Sequence, residues 1–204
     1  GAVVAVGREG GLVHLKAYGR TTYEADASPM AVDTLFDLAS LTKVIATTTM
    51  AMMMVDEGRL DLDRPVRDYF PKFIGGSKEK VTVRHLLTHS SGIDWWAPLY
   101  KEAHTLPEHL NRILPMELKY EPGTKSVYTD LCVMMLGDIL ERASGDDLNA
   151  FAKRRLFEPM KMRDTGYRPT EAMRPRIAPT EFDQDWRKRL VWGVFSGTLR
   201  EEAR

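Results

Sequence analysis

Apolar positions in the first eighteen residues fall into two short runs, Ala2 to Val6 and Leu12 to Tyr18, parted by Gly7-Arg8-Glu9-Gly10-Gly11. Aliphatic and β-branched runs around a glycine-rich break predict a β-hairpin. Thr21 to Asp33 is polar and reads as a connection ending near Pro29. The pattern then changes to a long apolar stretch, Val44 to Val55, entered through Ser40-Leu41-Thr42-Lys43 and left at Asp56-Glu57-Gly58. Ala, Met, Val and Ile fill that stretch, and Gly58 stands where a helix C-cap glycine belongs. It therefore reads as a buried helix with Ser40 in its first turn, and Met50, Met52, Met53 and Met54 as core filler.

Further on, Leu60 to Val66 is an extended connection stopped by Pro65, and Gly75-Gly76-Ser77-Lys78 is a loop. Arg84 to His89 reads as a short helix capped by Thr82. Trp95 to Pro115, rich in proline, histidine and aromatics, is read as irregular, either a surface loop or the wall of a pocket. After the turn at Glu121-Pro122-Gly123-Thr124 comes a second long helix, Leu131 to Ala143, closed by Ser144-Gly145. Asp146-Asp147 cap a further helix, Leu148 to Leu156. Beyond Pro159 the chain is loop-like, and Leu190 to Leu199 is the last candidate strand.

Composition changes this picture only by exclusion. Lys+Arg and Asp+Glu both number 29 in 204 residues, so no net field favours nucleic acid or an anionic membrane. Lys153-Arg154-Arg155 reads as one solvated helix face. Apolar residues at 43% and charged residues at 28% are those of a globular protein with a real core. The apolar stretch is interrupted by Thr47-Thr48-Thr49 and is too short to span a bilayer. The opening Gly1-Ala2-Val3-Val4 has no basic segment, so the chain as given is expected to be soluble without a signal peptide. That leaves the compartment open between the cytoplasm and the periplasm or exterior after processing. Cys132 is the only cysteine and excludes an intrachain disulfide.

Two patterns are candidates for chemistry. On a helix, residues three apart are neighbours, so Lys43 would sit beside Ser40. A lysine can activate a serine, and the unpaired N–H groups of a helix start favour an oxyanion, so the pair could carry acyl transfer. The alternative is a plain capping serine. His85 and His89 have the i, i+4 spacing of a zinc helix. Leu86 stands where a metalloprotease would place its glutamate, however, and no third ligand is near, so both are read as hydrogen-bonding histidines and no metal or other cofactor is expected.

Taken together, Leu35-Phe36-Asp37-Leu38-Ala39-Ser40-Leu41-Thr42-Lys43, Val83 to Gly92 with His85-Leu86-Leu87-Thr88-His89-Ser90-Ser91-Gly92, Pro122-Gly123-Thr124 and Tyr128-Thr129-Asp130 resemble the serine β-lactamase and penicillin-binding superfamily. The likeness is to class C β-lactamases, family VIII carboxylesterases and D-amino-acid peptidases, and runs from Gly1 to about Tyr167. It implies that Ser40 is the nucleophile, Lys43 holds the proton network, and Tyr128 shuttles a proton between nucleophile and leaving group. Asp130 stands where the family has an asparagine. An ionised Asp cannot donate a hydrogen bond, but it can pair with Lys43, keep it protonated and move the base role toward Tyr128. This tilts the expected substrate from β-lactams to esters. The family's third motif, Lys/His-Thr/Ser-Gly, has no clear copy. Its only candidate is Phe195-Ser196-Gly197-Thr198: as a strand it would let Ser196, Gly197 and Thr198 bind substrate, with the Thr198 N–H as second oxyanion donor, and the alternative is a frayed or rerouted tail.

The expected fold is α+β, β-lactamase/transpeptidase-like: a helical lobe beside a small antiparallel sheet, shortened at the C-terminus, with the site in the cleft between them. The chain is read as a single domain over 1–204, with a hairpin and connection over 1–39, a mainly helical lobe over 40–167, and a loop with a possible last strand over 168–204. The expected activity is that of a serine hydrolase forming an acyl-enzyme on Ser40, acting on small acyl esters with weak or no β-lactamase activity. A penicillin-binding module without turnover, or an inactive fragment, is the alternative. No Gly-x-Ser-x-Gly elbow is present to suggest an α/β-hydrolase. The partner expected is a small ester or amide, and a homodimer would hide the hairpin's open edge.

Overall fold

The computed structural model describes residues 1–97, 99 and 102–180. The candidate strand at Leu190 to Leu199, with Ser196, Gly197 and Thr198, lies outside the described residues. The chain divides into two compact units: Gly1–Leu38 with the residues from Tyr167 onward, and Ala39–Gly166.

In the first unit, β1 (Ala2–Arg8) and β2 (Gly11–Tyr18) form an antiparallel hairpin, in register from Ala2 opposite Tyr18 to Arg8 opposite Gly11. The register slips between Val6 and Gly7. The connection is tighter than the five-residue turn expected from sequence. Only Glu9 and Gly10 turn the chain, at φ 52° and 79°, while Gly7, Arg8 and Gly11 belong to the strands. Two successive positive φ values match the twist of the flanking strands, which is why a two-residue loop suffices. Later in the chain, Leu35 N–H donates to the Arg176 carbonyl at 2.8 Å, and Ala178 N–H donates to the Leu35 carbonyl at 2.9 Å. These bonds join the two stretches of chain that make up this unit.

The second unit is built on helices. Helical residues begin at Leu41 and continue through a π-helical stretch, Lys43–Thr48, into α1 (Thr49–Asp56). Two expectations are corrected here. Ser40 lies in the turn just before the helix, not in its first turn, and the helix is buried on one side only. Ala46, Met50 and Met54 recur every four residues and are buried, whereas Val44 and Met52 face outward, so Met52 is not core filler. Each buried methionine contributes roughly 1.5–3 kcal/mol of apolar burial.

A short helix, α2 (Val83–Leu87), starts at Thr82 as expected. The stretch read as irregular contains α3 (Leu106–Ile113). Thr105 Oγ1 accepts from Glu108 N–H, and Glu108 Oε2 accepts from Thr105 N–H, a capping box around Pro107 in the first turn. Leu110 and Ile113 bury its inner face. The proline suggested a loop, yet in a first turn it removes only an N–H that has no helical partner.

The core helix is α4 (Asp130–Ser144), which buries Leu131, Met135, Leu136, Ile139 and Leu140 and ends at Gly145 with φ 76°. Arg59 caps its far end, donating to the Ala143 and Ser144 carbonyls at 2.8 and 3.0 Å. Asp147 then caps α5 (Leu148–Ala152) by accepting from Ala150 N–H, and the helix runs on as a π-helical stretch, Lys153–Phe157. The basic residues there are ion-paired: Arg154 with Asp146, and Arg155 with Glu57.

Candidate active site

The first arm of the site is the entry to the π-helical stretch. Ala39 adopts φ 44°, a left-handed conformation that costs a residue with a Cβ about 1–3 kcal/mol. The turn it makes lets Thr42 N–H reach the Ala39 carbonyl and Lys43 N–H reach the Ser40 carbonyl, both at 3.1 Å. Ser40 is left exposed at the mouth of the helix, with Lys43 one turn on. Wide π turns begin at Lys43, a feature frequent at functional sites.

The second arm is laid down by a hydrogen-bonded loop pair. His89, at φ 54°, turns the chain out of α2, and Gly92, at φ 88°, turns it again. Between and around them the backbone zips onto the segment 119–127. Lys119 N–H donates to the Gly92 carbonyl at 2.7 Å, while Gly123 N–H reaches Ser90 and Val127 N–H reaches His89, each at 2.8 Å. Ser126 Oγ donates to the Thr88 carbonyl at 2.9 Å. Gly123 is needed for two reasons: its φ is 81°, and a Cβ there would stand 3.2 Å from His85 Nε2. This zipper delivers Tyr128 and Asp130 to the start of α4. Thr129, 1% exposed, is the N-cap and accepts from Leu131 N–H at 3.1 Å.

The two arms meet at Lys43. Its Nζ donates to Ser40 Oγ at 3.1 Å, pairs with Asp130 Oδ1 at 2.6 Å, and lies 5.0 Å from the centre of the Tyr128 ring. Burial by itself would lower the Lys43 pKa, but hydrogen bonds to Asp130 and Tyr128 outweigh it and hold the ammonium above its ordinary value of 10.5. As the first residue of α4, Asp130 also benefits from the helix N-terminus. The structure thus brings Ser40, Lys43, Tyr128 and Asp130 into one cluster. Its chemistry follows from the charges: a serine hydroxyl hydrogen-bonded to a lysine that stays protonated, with a phenol against the same ammonium.

The two histidines are hydrogen-bonding groups, as expected, and they serve different partners. His85 Nδ1 accepts from Thr82 N–H at 3.1 Å. His89 Nδ1 accepts from Thr129 N–H at 3.2 Å, and its ring lies 4.7 Å from the Tyr128 ring at a 39° tilt. Burial, and then the Lys43 charge, hold His89 below the usual histidine range. Sequence reasoning missed this closeness to Tyr128. The only signal for it was a histidine at a helix exit, where His tolerates the left-handed region better than most residues. Among the described residues no group of three or more His, Cys, Asp or Glu is arranged to hold a metal ion. Nor is any described helix long and apolar enough to cross a membrane.

The cluster and the helices around it define a β-lactamase/transpeptidase-like α+β protein. The solved structure of EstCE1, a hydrolase with promiscuous acyltransferase activity, superposes on 87% of this chain and 50% of its own at TM-score 0.75 and 27% identity. The β-lactamase family profile matches residues 1–200, and the chain belongs to that family. It is 35% identical over 193 residues to esterase EstB of Burkholderia gladioli, covering 85% of this chain and 48% of EstB. It is 32% identical to an N-acetylmuramyl-L-alanine amidase of Bacillus subtilis, covering 84% and 43%. The chain therefore spans about half the length of the curated relatives it matches.

Proposed function

We propose that this protein is a serine hydrolase that forms an acyl-enzyme on Ser40, acting on small acyl esters with weak or no β-lactamase activity. The observation that carries the reading is the single ammonium of Lys43 shared by Ser40 Oγ, Asp130 and Tyr128. Asp130 keeps Lys43 charged, and Tyr128 lies against that ammonium, 5.0 Å from Nζ to the ring centre. Tyr128 is the group that takes the proton of Ser40 as Oγ attacks the ester carbonyl, and the Ser40 N–H at the helix mouth faces the developing oxyanion. Tyr128 then passes the proton to the departing alkoxide. In the second half, water attacks the acyl-enzyme and the same proton path runs in reverse. Similarity to esterase EstB, and to EstCE1, a hydrolase with promiscuous acyltransferase activity, supports the ester preference. The test is to incubate the protein with a fluorophosphonate and with a labelled penicillin, then to locate the modified residue by mass spectrometry. Fluorophosphonate label on Ser40 is expected. Label on another residue would overturn the reading, and a penicillin adduct that forms without ester turnover would favour the binding-module alternative.

Asp130 also sets an expectation for specificity. An asparagine there would regain an amide donor, so Asp130→Asn should raise the rate of β-lactam acylation relative to ester cleavage by up to about tenfold, one hydrogen bond's worth. An unchanged ratio would mean that residue 130 does not meet the substrate.

The raised pKa of Lys43 fixes a pH dependence. A cation whose folded pKa lies above its unfolded value stabilises the fold fully below the unfolded value, 10.5, and loses that contribution as pH rises through the folded value. The Tm difference between wild type and Lys43→Met should therefore be flat from about neutrality to about pH 10 and move against the wild type beyond it. A difference that changes near neutral pH would show that Lys43 titrates there and is available as a base.

A further inference from the structure

Tyr128 is held by one residue from both sides of its backbone. The His89 carbonyl accepts from Val127 N–H at 2.8 Å, and His89 Nδ1 accepts from Thr129 N–H at 3.2 Å. These donors are the neighbours of Tyr128 before and after it in the chain. The His89 ring covers the Tyr128 ring at 4.7 Å. One residue can aim its carbonyl and its side-chain acceptor at the same extended segment because its backbone is left-handed, at φ 54°. The Tyr120 hydroxyl also donates to the His89 carbonyl, at 3.5 Å.

We propose that His89 is a positioning residue for Tyr128: its neutral imidazole, protonated on Nε2, clamps the Val127-Tyr128-Thr129 segment and sets the phenol against Lys43, and protonation of Nδ1 opens the clamp. The inference rests on Tyr128 being the proton carrier proposed above. The chemistry is that of an acceptor turned donor. Nδ1 can accept the Thr129 N–H only while it is unprotonated. Once protonated it faces that N–H with a hydrogen of its own, and a cation is added beside the Lys43 ammonium. The charged and titratable groups around the ring are Lys43 from the π-helical stretch, Asp130 at the start of α4, and Tyr120 and Tyr128 from the segment between. Burial raises the Tyr120 pKa and keeps that phenol neutral. Burial and then Lys43 favour the neutral imidazole, against a smaller opposing pull from Asp130. Because the folded pKa lies below the ordinary 6.5, the clamp is complete above that value and is lost as pH falls through the lower one.

Two variants separate clamp from bulk. Asparagine places its side-chain oxygen where Nδ1 stands, tolerates the left-handed backbone and does not titrate. Leucine fills space without accepting. In His89→Asn, kcat for a p-nitrophenyl ester should stay within about threefold of wild type, whereas in His89→Leu it should fall about 10- to 100-fold with KM little changed. The loss of wild-type kcat in acid should share its midpoint with the His89 titration followed by ¹⁵N NMR, and that midpoint should be absent from His89→Asn. The NMR spectrum should show the neutral ring protonated on Nε2, a readout independent of catalysis and of how well the leucine variant folds. A proton on Nδ1, a titration at or above 6.5, an asparagine variant as impaired as leucine, or an acid midpoint unchanged by asparagine would each overturn the inference alone. Full activity in Tyr128→Phe would instead overturn the catalytic reading, and the inference with it.

Discussion

Replacing Ser40 by alanine is expected to reduce ester hydrolysis to background, a loss of three or more orders of magnitude, with the fold intact. The fold should survive because Ser40 is exposed in a turn whose hydrogen bonds come from backbone groups: the Ser40 carbonyl accepts from Lys43, and the Ala39 carbonyl from Thr42. Removing Oγ costs one hydrogen bond, from Lys43. Lys43→Ala and Tyr128→Phe should each be nearly as damaging. In pairs with Ser40→Ala they should add little, because a proton path missing any one member does not run. Initial rates on a p-nitrophenyl ester, with circular dichroism and Tm as controls on folding, measure this. Hydrolysis that survives Ser40→Ala would falsify the assignment of the nucleophile. Losses that multiply would show that the three side chains, though in contact through Lys43, do not act as a unit.

Gly92→Ala is expected to have the largest effect on stability, about 2–5 kcal/mol, through strain and collision together. Gly92 has φ 88°, and a Cβ there would run into the Tyr120 carbonyl oxygen and come to 3.2 Å from Leu118 Cβ. Neither neighbour is free to move, since Lys119, between them, donates its N–H to the Gly92 carbonyl at 2.7 Å. Gly145→Ala is the matched control. It has a similar φ of 76° but nothing within 4 Å of its would-be Cβ, so it should show the strain alone, about 1 kcal/mol. Denaturant unfolding of both variants tests the point. Equal losses at the two positions would mean that the zipper yields to a methyl group, and it would then be too soft to fix Tyr128.

Helix ends were written in local residues and could be read without coordinates. Thr82, Asp147 and Gly145 stand where their chemistry places them, because caps and left-handed closures involve atoms only a few positions apart. Leu106–Ile113 was misread for a local reason as well: the proline outweighed the capping box that encloses it. The one-sided burial of the π-helical stretch and α1 was not legible. Val44 and Met52 are as apolar as Met50, and only packing decides which of them faces the core.

The candidate site divides in the same way. Ser40 and Lys43 are three residues apart, so one turn of chain, closed by Lys43 N–H on the Ser40 carbonyl, is enough to bring them together, and the motifs downstream marked Tyr128 and Asp130 as their company. What those residues do to one another was left to the tertiary structure. Asp130 chooses Lys43 from 87 positions away in the chain, and His89 meets Thr129 across a 40-residue separation. Contacts of that range depend on the zipper between residues 88–92 and 119–127, whose backbone bonds carry no side-chain signature. By itself, then, the sequence determined the helix termini, the serine–lysine pair and the set of residues that belong with it, because each rests on short-range geometry or on a motif. The charge state of Lys43, the clamp on Tyr128 and the exposed side of α1 were decided only when distant segments were packed together, because electrostatics and burial depend on distance in space and not along the chain.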